Sequence, residues 1–226
     1  RRVAGAVATS MQNGRFPLVL GGDHSLSIGS VRGAAKYKKI GVIWLDAHGD
    51  FNTHLTTPSG NIHGMSLAAL CGLGDPRLTA LYDEPVPVID PGKVAIIGAR
   101  DLDLGEKDNL RSAGALVLSM EQVDRIGMVA ALEQCIEQVS RDVDGIYLSM
   151  DLDALDPRFA PGVGTPVPGG LTYREGHLAC EVVAETGKLI GMDVVEVNPI
   201  LDEKNQTAKI AVEFACSALG SRVWQG

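Results

Sequence analysis

Six short apolar runs recur along the chain, and segments with helical spacing separate them. The runs lie within residues 16–22, 39–46, 93–100, 115–120, 144–153 and 188–199. Valine, isoleucine and leucine follow one another in these runs instead of alternating with polar residues, which is typical of strands buried on both faces. Strands of this kind that alternate with helices predict a parallel sheet between two layers of helices.

Helices are predicted between the strands, and the chain is expected to form a single domain. The predicted helices span residues 25–37, 64–70, 105–112, 121–139, 172–185 and 206–219, and the first residues, up to Asn13-Gly14, form the tail of another helix. No repeat, linker or low-complexity tract divides residues 1–226. The sequence begins with Arg1-Arg2, without a methionine or a signal-peptide pattern, so we expect that its natural beginning is missing.

Composition argues against several kinds of partner. The net charge is −8 and no basic stripe occurs, so nucleic acid is not expected to bind. No apolar run reaches the roughly 20 residues that a membrane span requires. The four cysteines are widely spaced, which favours reduced thiols and a cytoplasmic location over a disulfide framework.

Ionisable side chains follow four of the predicted strands, at the end where open α/β sheets bind ligands. Residues two apart in an extended segment point the same way, so each group is expected to face one site. The segments are "GGDHS", "DAHGD", "DLD" and "VVEVNP", which contribute His24, Asp46, His48, Asp50, Asp151, Asp153 and Glu196.

The imidazoles and aspartates of this set predict a site for two divalent cations. Burying ionised carboxylates is costly unless a cation balances them. Oxygen ligands without a thiolate favour Mn²⁺ or Mg²⁺, and two imidazoles favour Mn²⁺. A lone aspartate after a strand more often caps a helix or turn, which is the role expected for Asp23. His54 and His177 have no such context and are expected in a loop and on a surface helix.

The same segments, with "SMDLDALDP" and "PGVGTPVPGGL", resemble the motifs of the ureohydrolase superfamily, which includes arginases and agmatinases. They extend from Gly21 to Pro199. The resemblance implies a three-layer α/β/α sandwich with a mostly parallel central sheet. That family usually begins with a strand and a glycine-rich segment and has eight strands, so the N-terminal strands are expected to be missing here.

The resemblance also implies how two Mn²⁺ ions would be held. One would be bound by His24, Asp46, Asp50 and Asp151. The other would be bound by Asp46, His48, Asp151 and Asp153. Asp46 and Asp151 would therefore bridge the two ions.

Within the superfamily, "DFNTHLTTPSGNIHGM" and "GARDLDLGE" resemble the arginases, and those of the bacterial type most closely. The resemblance implies that Asn52, Ser59 and Asn61 surround the α-carboxylate of the substrate, and that Asp103 meets its α-amino group. His63 would shuttle protons. Agmatinases differ in these segments, and tend to carry a serine in place of Asn198.

The implied reaction is the hydrolysis of L-arginine to L-ornithine and urea. A hydroxide bridging two cations would attack the guanidinium carbon, since bound water loses a proton far more readily than bulk water. Asp153 would relay a proton, Glu196 would pair with the guanidinium with Thr165 nearby, and His63 would protonate the leaving amine.

Two other functions are open from the sequence. One is a related enzyme that acts on agmatine or another guanidino compound, and the other is a non-catalytic metal-binding subunit. The complete set of expected ligands, together with His63 and Glu196, argues against the second. The resemblance further implies a homo-trimer or homo-hexamer, although no sequence feature fixes the number of subunits.

Overall fold

A six-stranded parallel sheet forms the centre of the computed structural model, which describes residues 1–81 and 86–224. The strands are β1 (Leu18–Leu20), β2 (Ile40–Leu45), β3 (Val94–Ala99), β4 (Leu116–Ser119), β5 (Gly145–Asp151) and β6 (Leu189–Val195). Their order in the sheet is β1-β6-β5-β2-β3-β4, and every neighbouring pair is parallel. The predicted strands and the parallel sheet are therefore confirmed.

Helices cover both faces of this sheet. They are α1 (Arg2–Gln12), α2 (Ser27–Ala35), α3 (Ser66–Leu70), α4 (Pro76–Thr79), α5 (Leu104–Ala113), α6 (Met120–Ile126), α7 (Met128–Val139), α8 (Tyr173–Glu185) and α9 (Gln206–Ala218). Side chains of α1, α2, α3 and α5 form one core with the sheet, and side chains of α6 to α9 form a second core on the opposite face. The architecture is the predicted three-layer α/β/α sandwich.

Strand β2 is buried on both faces, which explains why its sequence is apolar throughout. Ile43 and Leu45 pack into one core, whereas Val42 and Trp44 pack into the other. All six residues of the strand are buried. Because successive side chains point to opposite faces, a strand between two helical layers has no position that faces water.

The prediction of one helix over residues 121–139 is wrong. Gly127 separates α6 from α7 with φ 82° and ψ 151°, a conformation that is essentially restricted to glycine. The apolar spacing continues across the break, because both helices pack on the same face of the sheet. No helix among the described residues is long and apolar enough to span a membrane.

Candidate metal centre and substrate cleft

The predicted ligands come together at the carboxyl ends of β2 and β5, which are neighbours in the sheet. His24 joins them from a short 3-10 helix, His24–Leu26, between β1 and α2. Asp23 caps that turn by accepting a hydrogen bond from the Ser25 backbone N–H, as predicted.

Three carboxylate oxygens surround one nitrogen of His24. Its Nδ1 lies 3.0 Å from Asp46 Oδ2, 3.1 Å from Asp50 Oδ2 and 3.0 Å from Asp151 Oδ2. A ring nitrogen carries at most one proton, so it cannot donate to all three oxygens. Among the described residues, neither His24 Nδ1 nor Asp50 Oδ2 has a hydrogen-bond partner, although both atoms are buried. One imidazole nitrogen with three carboxylate oxygens close to it matches the donor set of a hard divalent cation.

A second group of donors lies beside the first. His48 Nδ1 is 3.1 Å from Asp153 Oδ2 and 3.3 Å from Asp46 Oδ1. Asp46 therefore presents one oxygen to each imidazole. Atoms of Asp46, His48 and Asp153 lie close enough together to hold a metal ion, as do atoms of His24, Asp46 and Asp50.

The backbone that creates this convergence is not the extended segment expected from the sequence. Beyond Leu45 the chain leaves the strand, and Asp50 adopts a left-handed conformation with φ 49°. Asp151 ends β5 and caps the 3-10 turn Leu152–Ala154, where its Oδ1 accepts a hydrogen bond from the Asp153 backbone N–H at 2.7 Å. Tight turns, and not strand alternation, direct the carboxylates to one point.

Burial makes this cluster electrostatically unfavourable in the absence of a cation. Burial and the charge of Asp46 raise the pKa of Asp50 to about 7. Burial, Asp153 and Asp46 likewise raise the pKa of Asp151 well above its usual range. Burial also acts to raise the pKa of Asp46, but His24 and His48 outweigh it and hold that pKa well below its usual value. The two imidazoles alone do not keep all the carboxylates ionised, and divalent cations would do so.

The surrounding residues hold the donors in place. Trp44 Nε1 donates to Asp46 Oδ2 at 3.0 Å, and its ring stacks on His24 with centroids 4.0 Å apart. Glu106, at the start of α5, accepts a hydrogen bond from the Phe51 backbone N–H at 2.8 Å. A Cβ at Gly49 would lie 2.8 Å from Glu106 Oε1, which explains the glycine within "DAHGD".

A cleft of about 290 Å³ opens from the cluster to the surface. It is lined by the predicted substrate residues Asn52, Ser59, Asn61, His63, Asp103 and Thr165, together with His48, Asp50, Asp151 and Asp153. Glu196 lies in an adjoining cavity that also includes His63 and Thr165. The cleft and the adjoining cavity are thus lined by all the predicted substrate residues and by four of the six predicted metal ligands, whereas His24 and Asp46 are fully buried.

Two of the predicted substrate residues form a hydrogen bond with each other. Asn52 Nδ2 donates to Asp103 Oδ2 at 2.8 Å, and Asn52 Oδ1 accepts from Thr56 at 3.0 Å. The resemblance to arginases implied that Asn52 and Asp103 bind different groups of the substrate, and it did not indicate this contact. His54 lies in an exposed turn, and His177 lies on α8 with its Nδ1 2.8 Å from the Ser217 hydroxyl, consistent with the roles expected of them.

Arg100 is a structural part of the site that the sequence analysis missed. Its guanidinium group donates to six backbone carbonyls at 2.6–3.3 Å, five of them in the segments that carry Asp153 and Thr165 and one in β3. The acceptors are Gly98, Asp153, Ala154, Leu155, Val167 and Pro168. A Cβ at Gly170 would lie 2.4 Å from Arg100 Nη2, so glycine is needed where the second segment passes the guanidinium.

Comparison with known proteins identifies relatives over almost the whole chain. The model of the Arginase family matches residues 1–220. Arginases of Bacillus caldovelox and Brevibacillus brevis are 53% and 50% identical over 223 residues, which cover 98% of this chain and 74% of each relative. The native structure of the Bacillus caldovelox arginase superposes with a TM-score of 0.96 at 53% identity, covering 99% of this chain and 75% of that one.

Replacing Arg100 by lysine should destabilise the protein. Lysine keeps the charge but has three donors on one atom and cannot reproduce the planar fork. With each hydrogen bond from a charged group contributing about 1.5–3 kcal/mol, we expect Arg100→Lys to lower the free energy of unfolding by at least ~2 kcal/mol in urea titrations. Arg158→Lys, at an exposed arginine that pairs with Asp156, is the control and should change little. Equal stability of the two variants would contradict a bracing role for Arg100.

Proposed function

The chain belongs to the arginase family, and from this we propose that it hydrolyses L-arginine to L-ornithine and urea with two Mn²⁺ ions. The observation that carries the proposal is the convergence of carboxylate oxygens on His24 Nδ1 and His48 Nδ1 at the inner end of the cleft. In the mechanism, the ions would supply a lowered pKa for water and stabilisation of developing negative charge; the side chains around them must bind, orient and protonate the substrate.

The two ions would share the bridging aspartates. The first would be held by His24, Asp46, Asp50 and Asp151, and the second by Asp46, His48, Asp151 and Asp153. The contacts of Asp46 support its bridging role, because its two oxygens face different imidazoles. Imidazole and carboxylate donors without a thiolate support Mn²⁺ as the metal.

Glu196 would bind the guanidinium group of the substrate. Its Oε1 accepts a hydrogen bond from the His24 backbone N–H at 2.7 Å, which fixes the carboxylate beside the metal centre. Its backbone is held in a left-handed conformation with φ 66°, a strain of the kind that functional sites retain. Thr165 donates to Asp153 Oδ2 at 3.1 Å and also lines the cavity that contains Glu196.

Proton transfer would involve Asp153 and His63. Asp153 accepts hydrogen bonds from the Ala47 backbone N–H at 3.2 Å and from Thr165, so it is oriented to accept a proton as water attacks. His63 is partly exposed at the cleft, and its Nδ1 lies 3.8 Å from Glu196 Oε1. Beside the guanidinium site, an imidazole can give a proton to the leaving amine and regain it from solvent.

The far end of the cleft would bind the α-amino and α-carboxylate groups of arginine. Asp103 offers a carboxylate to the ammonium group, and Asn52 holds that carboxylate with one amide N–H. The second N–H of Asn52 makes no other bond among the described residues and can serve the substrate carboxylate together with Ser59 and Asn61. These contacts support an amino-acid substrate over agmatine, which lacks the carboxylate.

Assembly and location stay predictions. We expect a cytoplasmic homo-trimer or homo-hexamer, on the basis of the resemblance to arginases and the dispersed cysteines. Nucleic acid is not an expected partner, because the net charge is −8 and the opening of the cleft is lined with carboxylates. Hydrolysis of agmatine or another guanidino compound is the alternative activity.

Replacing Glu196 by glutamine should reduce catalysis without releasing the metal. The amide keeps the shape of the side chain but loses the charge that pairs with the guanidinium, a loss that typically costs ~2–5 kcal/mol. We expect a fall of roughly 30- to 5,000-fold in kcat/KM for urea release, with unchanged manganese content. Glu203→Gln, the same change at an exposed position on the same segment, is the matched control. If Glu196→Gln and Glu203→Gln are equally active, Glu196 does not bind the guanidinium group.

Substrate choice distinguishes an arginase from its relatives. Arginine and agmatine share the guanidinium and the aliphatic chain, so only the outer end of the cleft can discriminate between them. Sites that hydrogen-bond a substrate group reject analogues lacking it by ~10⁴–10⁵; since Ser59 and Asn61 are exposed to water, we expect a smaller preference, of at least ~10².

The measurement is urea release from L-arginine, D-arginine and agmatine in Mn²⁺ buffer. D-Arginine should also be a poor substrate, because it cannot present both α-groups to the same residues. Ser59→Ala with Asn61→Ala should narrow the preference for L-arginine over agmatine, whereas Asp103→Asn should weaken turnover of both, because both carry the amino group. Equal turnover of agmatine by the wild-type protein would refute arginase activity while leaving guanidino hydrolysis intact.

A further inference from the structure

A fully buried carboxylate lies behind the metal centre and takes no part in the mechanism described above. Asp193, on β6, is 0% exposed. No lysine or arginine within residues 1–81 and 86–224 forms an ion pair with it. Three hydroxyl groups donate to its oxygens instead: Ser149 to Oδ1 at 2.6 Å, and Ser27 (3.0 Å) and Ser30 to Oδ2. A buried charge without a cation is costly, so its presence in this core requires an explanation.

The hydrogen bonds of Ser149 connect this carboxylate to a predicted metal ligand. His24 Nε2 lies 2.9 Å from Ser149 Oγ. A hydroxyl has one proton, and an ionised carboxylate accepts but cannot donate. The Ser149 hydroxyl therefore donates its proton in the hydrogen bond to Asp193. In the contact with His24, Ser149 Oγ must then accept a hydrogen bond from Nε2–H. In this arrangement Nε2 carries a proton, and Nδ1, which faces Asp46, Asp50 and Asp151, is the nitrogen available to a cation.

The serines of α2 occupy the other oxygen of Asp193. Ser27 and Ser30 are three residues apart on one face of the helix and both donate to Asp193 Oδ2. Oδ1 is left for Ser149. The contact between the Ser27 and Ser149 hydroxyls, at 3.4 Å, is longer than either bond to Asp193, so it does not compete for the Ser149 proton.

We propose that Asp193, acting through Ser149, is a positioning residue for the first metal ion. It holds His24 in the tautomer whose Nδ1 lone pair points to the cation, and it increases the donor strength of the imidazole. Metal-binding histidines generally donate their other N–H to such a partner, and loss of that partner typically weakens metal affinity by ~10–100-fold. The ring stacking of Trp44 fixes the plane of His24, but stacking cannot select a tautomer. This inference rests on the proposed metal-dependent function.

The test is the manganese affinity of Asp193→Asn and Ser149→Ala in the full chain. Asp193→Asn keeps the side-chain shape and removes the charge, whereas Ser149→Ala breaks the connection and leaves Asp193 bonded to α2. We expect each variant to lose ~10–100-fold in affinity for one ion and to keep the other. The electron paramagnetic resonance signal of the coupled pair should therefore give way to that of a single Mn²⁺ at limiting metal. The double variant should lose no more than the worse single variant.

Ser27→Ala is the matched control, because it removes one donor to Asp193 without touching the link to His24. Its manganese affinity should stay within about 3-fold of the wild type, well short of the losses that follow removal of such a partner. If the wild-type protein binds two ions, and Asp193→Asn and Ser149→Ala bind both with wild-type affinity, this inference is overturned and the proposed function still stands. The inference would also be overturned if the variants bound both ions more weakly to the same extent, if Ser27→Ala did the same, and if the metal-free variants melted at a lower temperature. The network would then have only a structural role. A wild-type protein that takes up no manganese would refute the proposed function and this inference together.

Discussion

Repulsion among four aspartates buried at one end of the sheet is the constraint on which this structure depends. Asp46, Asp50, Asp151 and Asp153 are all nearly inaccessible to solvent, and the two imidazoles beside them cannot balance their charge. Many contacts nevertheless hold these carboxylates together. Arg100 braces the loop of Asp153, Glu106 holds the backbone after Asp50, and Trp44 donates to Asp46. Such support is consistent with ligands arranged in advance for cations.

The parallel sheet makes this arrangement possible. Strands β5 and β2 are adjacent and end at the same edge, so two acidic segments distant in sequence meet without a long connection. The helical layers bury both faces of the central strands, and the predicted metal ligands lie at or beyond the ends of these strands. At those ends the backbone departs from regular geometry, and Asp50 and Glu196 occupy left-handed conformations that glycine would adopt more easily. Retaining a carboxylate there supports a role in chemistry for both residues.

Much of the fold, and the convergence of the ionisable side chains that follow the strands, could be predicted from the sequence, because both depend on local patterns. Continuous apolar runs indicated the strands, and the acidic segments directly after two of them indicated the cluster. The local geometry could not be predicted in the same way. The turns at Asp50 and Asp151, which replace the expected extended segments, depend on tertiary contacts. The apolar spacing across Gly127 concealed the break between α6 and α7.

The supporting residues were missed for a related reason. Arg100 stands within a recognised motif, but five of its six carbonyl acceptors lie 53–68 residues away. Asp193 lies in an apolar run, where its hydroxyl donors come from α2 and β5. No local pattern indicates such partners.

The most direct test of the account is the amount of manganese bound by the purified chain after removal of metal and reconstitution. The account predicts close to two ions per chain in the wild-type protein, and loss of both sites in Asp46→Ala, because Asp46 faces both imidazoles. Binding of one ion per chain, unaffected by Asp153→Ala, would contradict a shared two-metal centre.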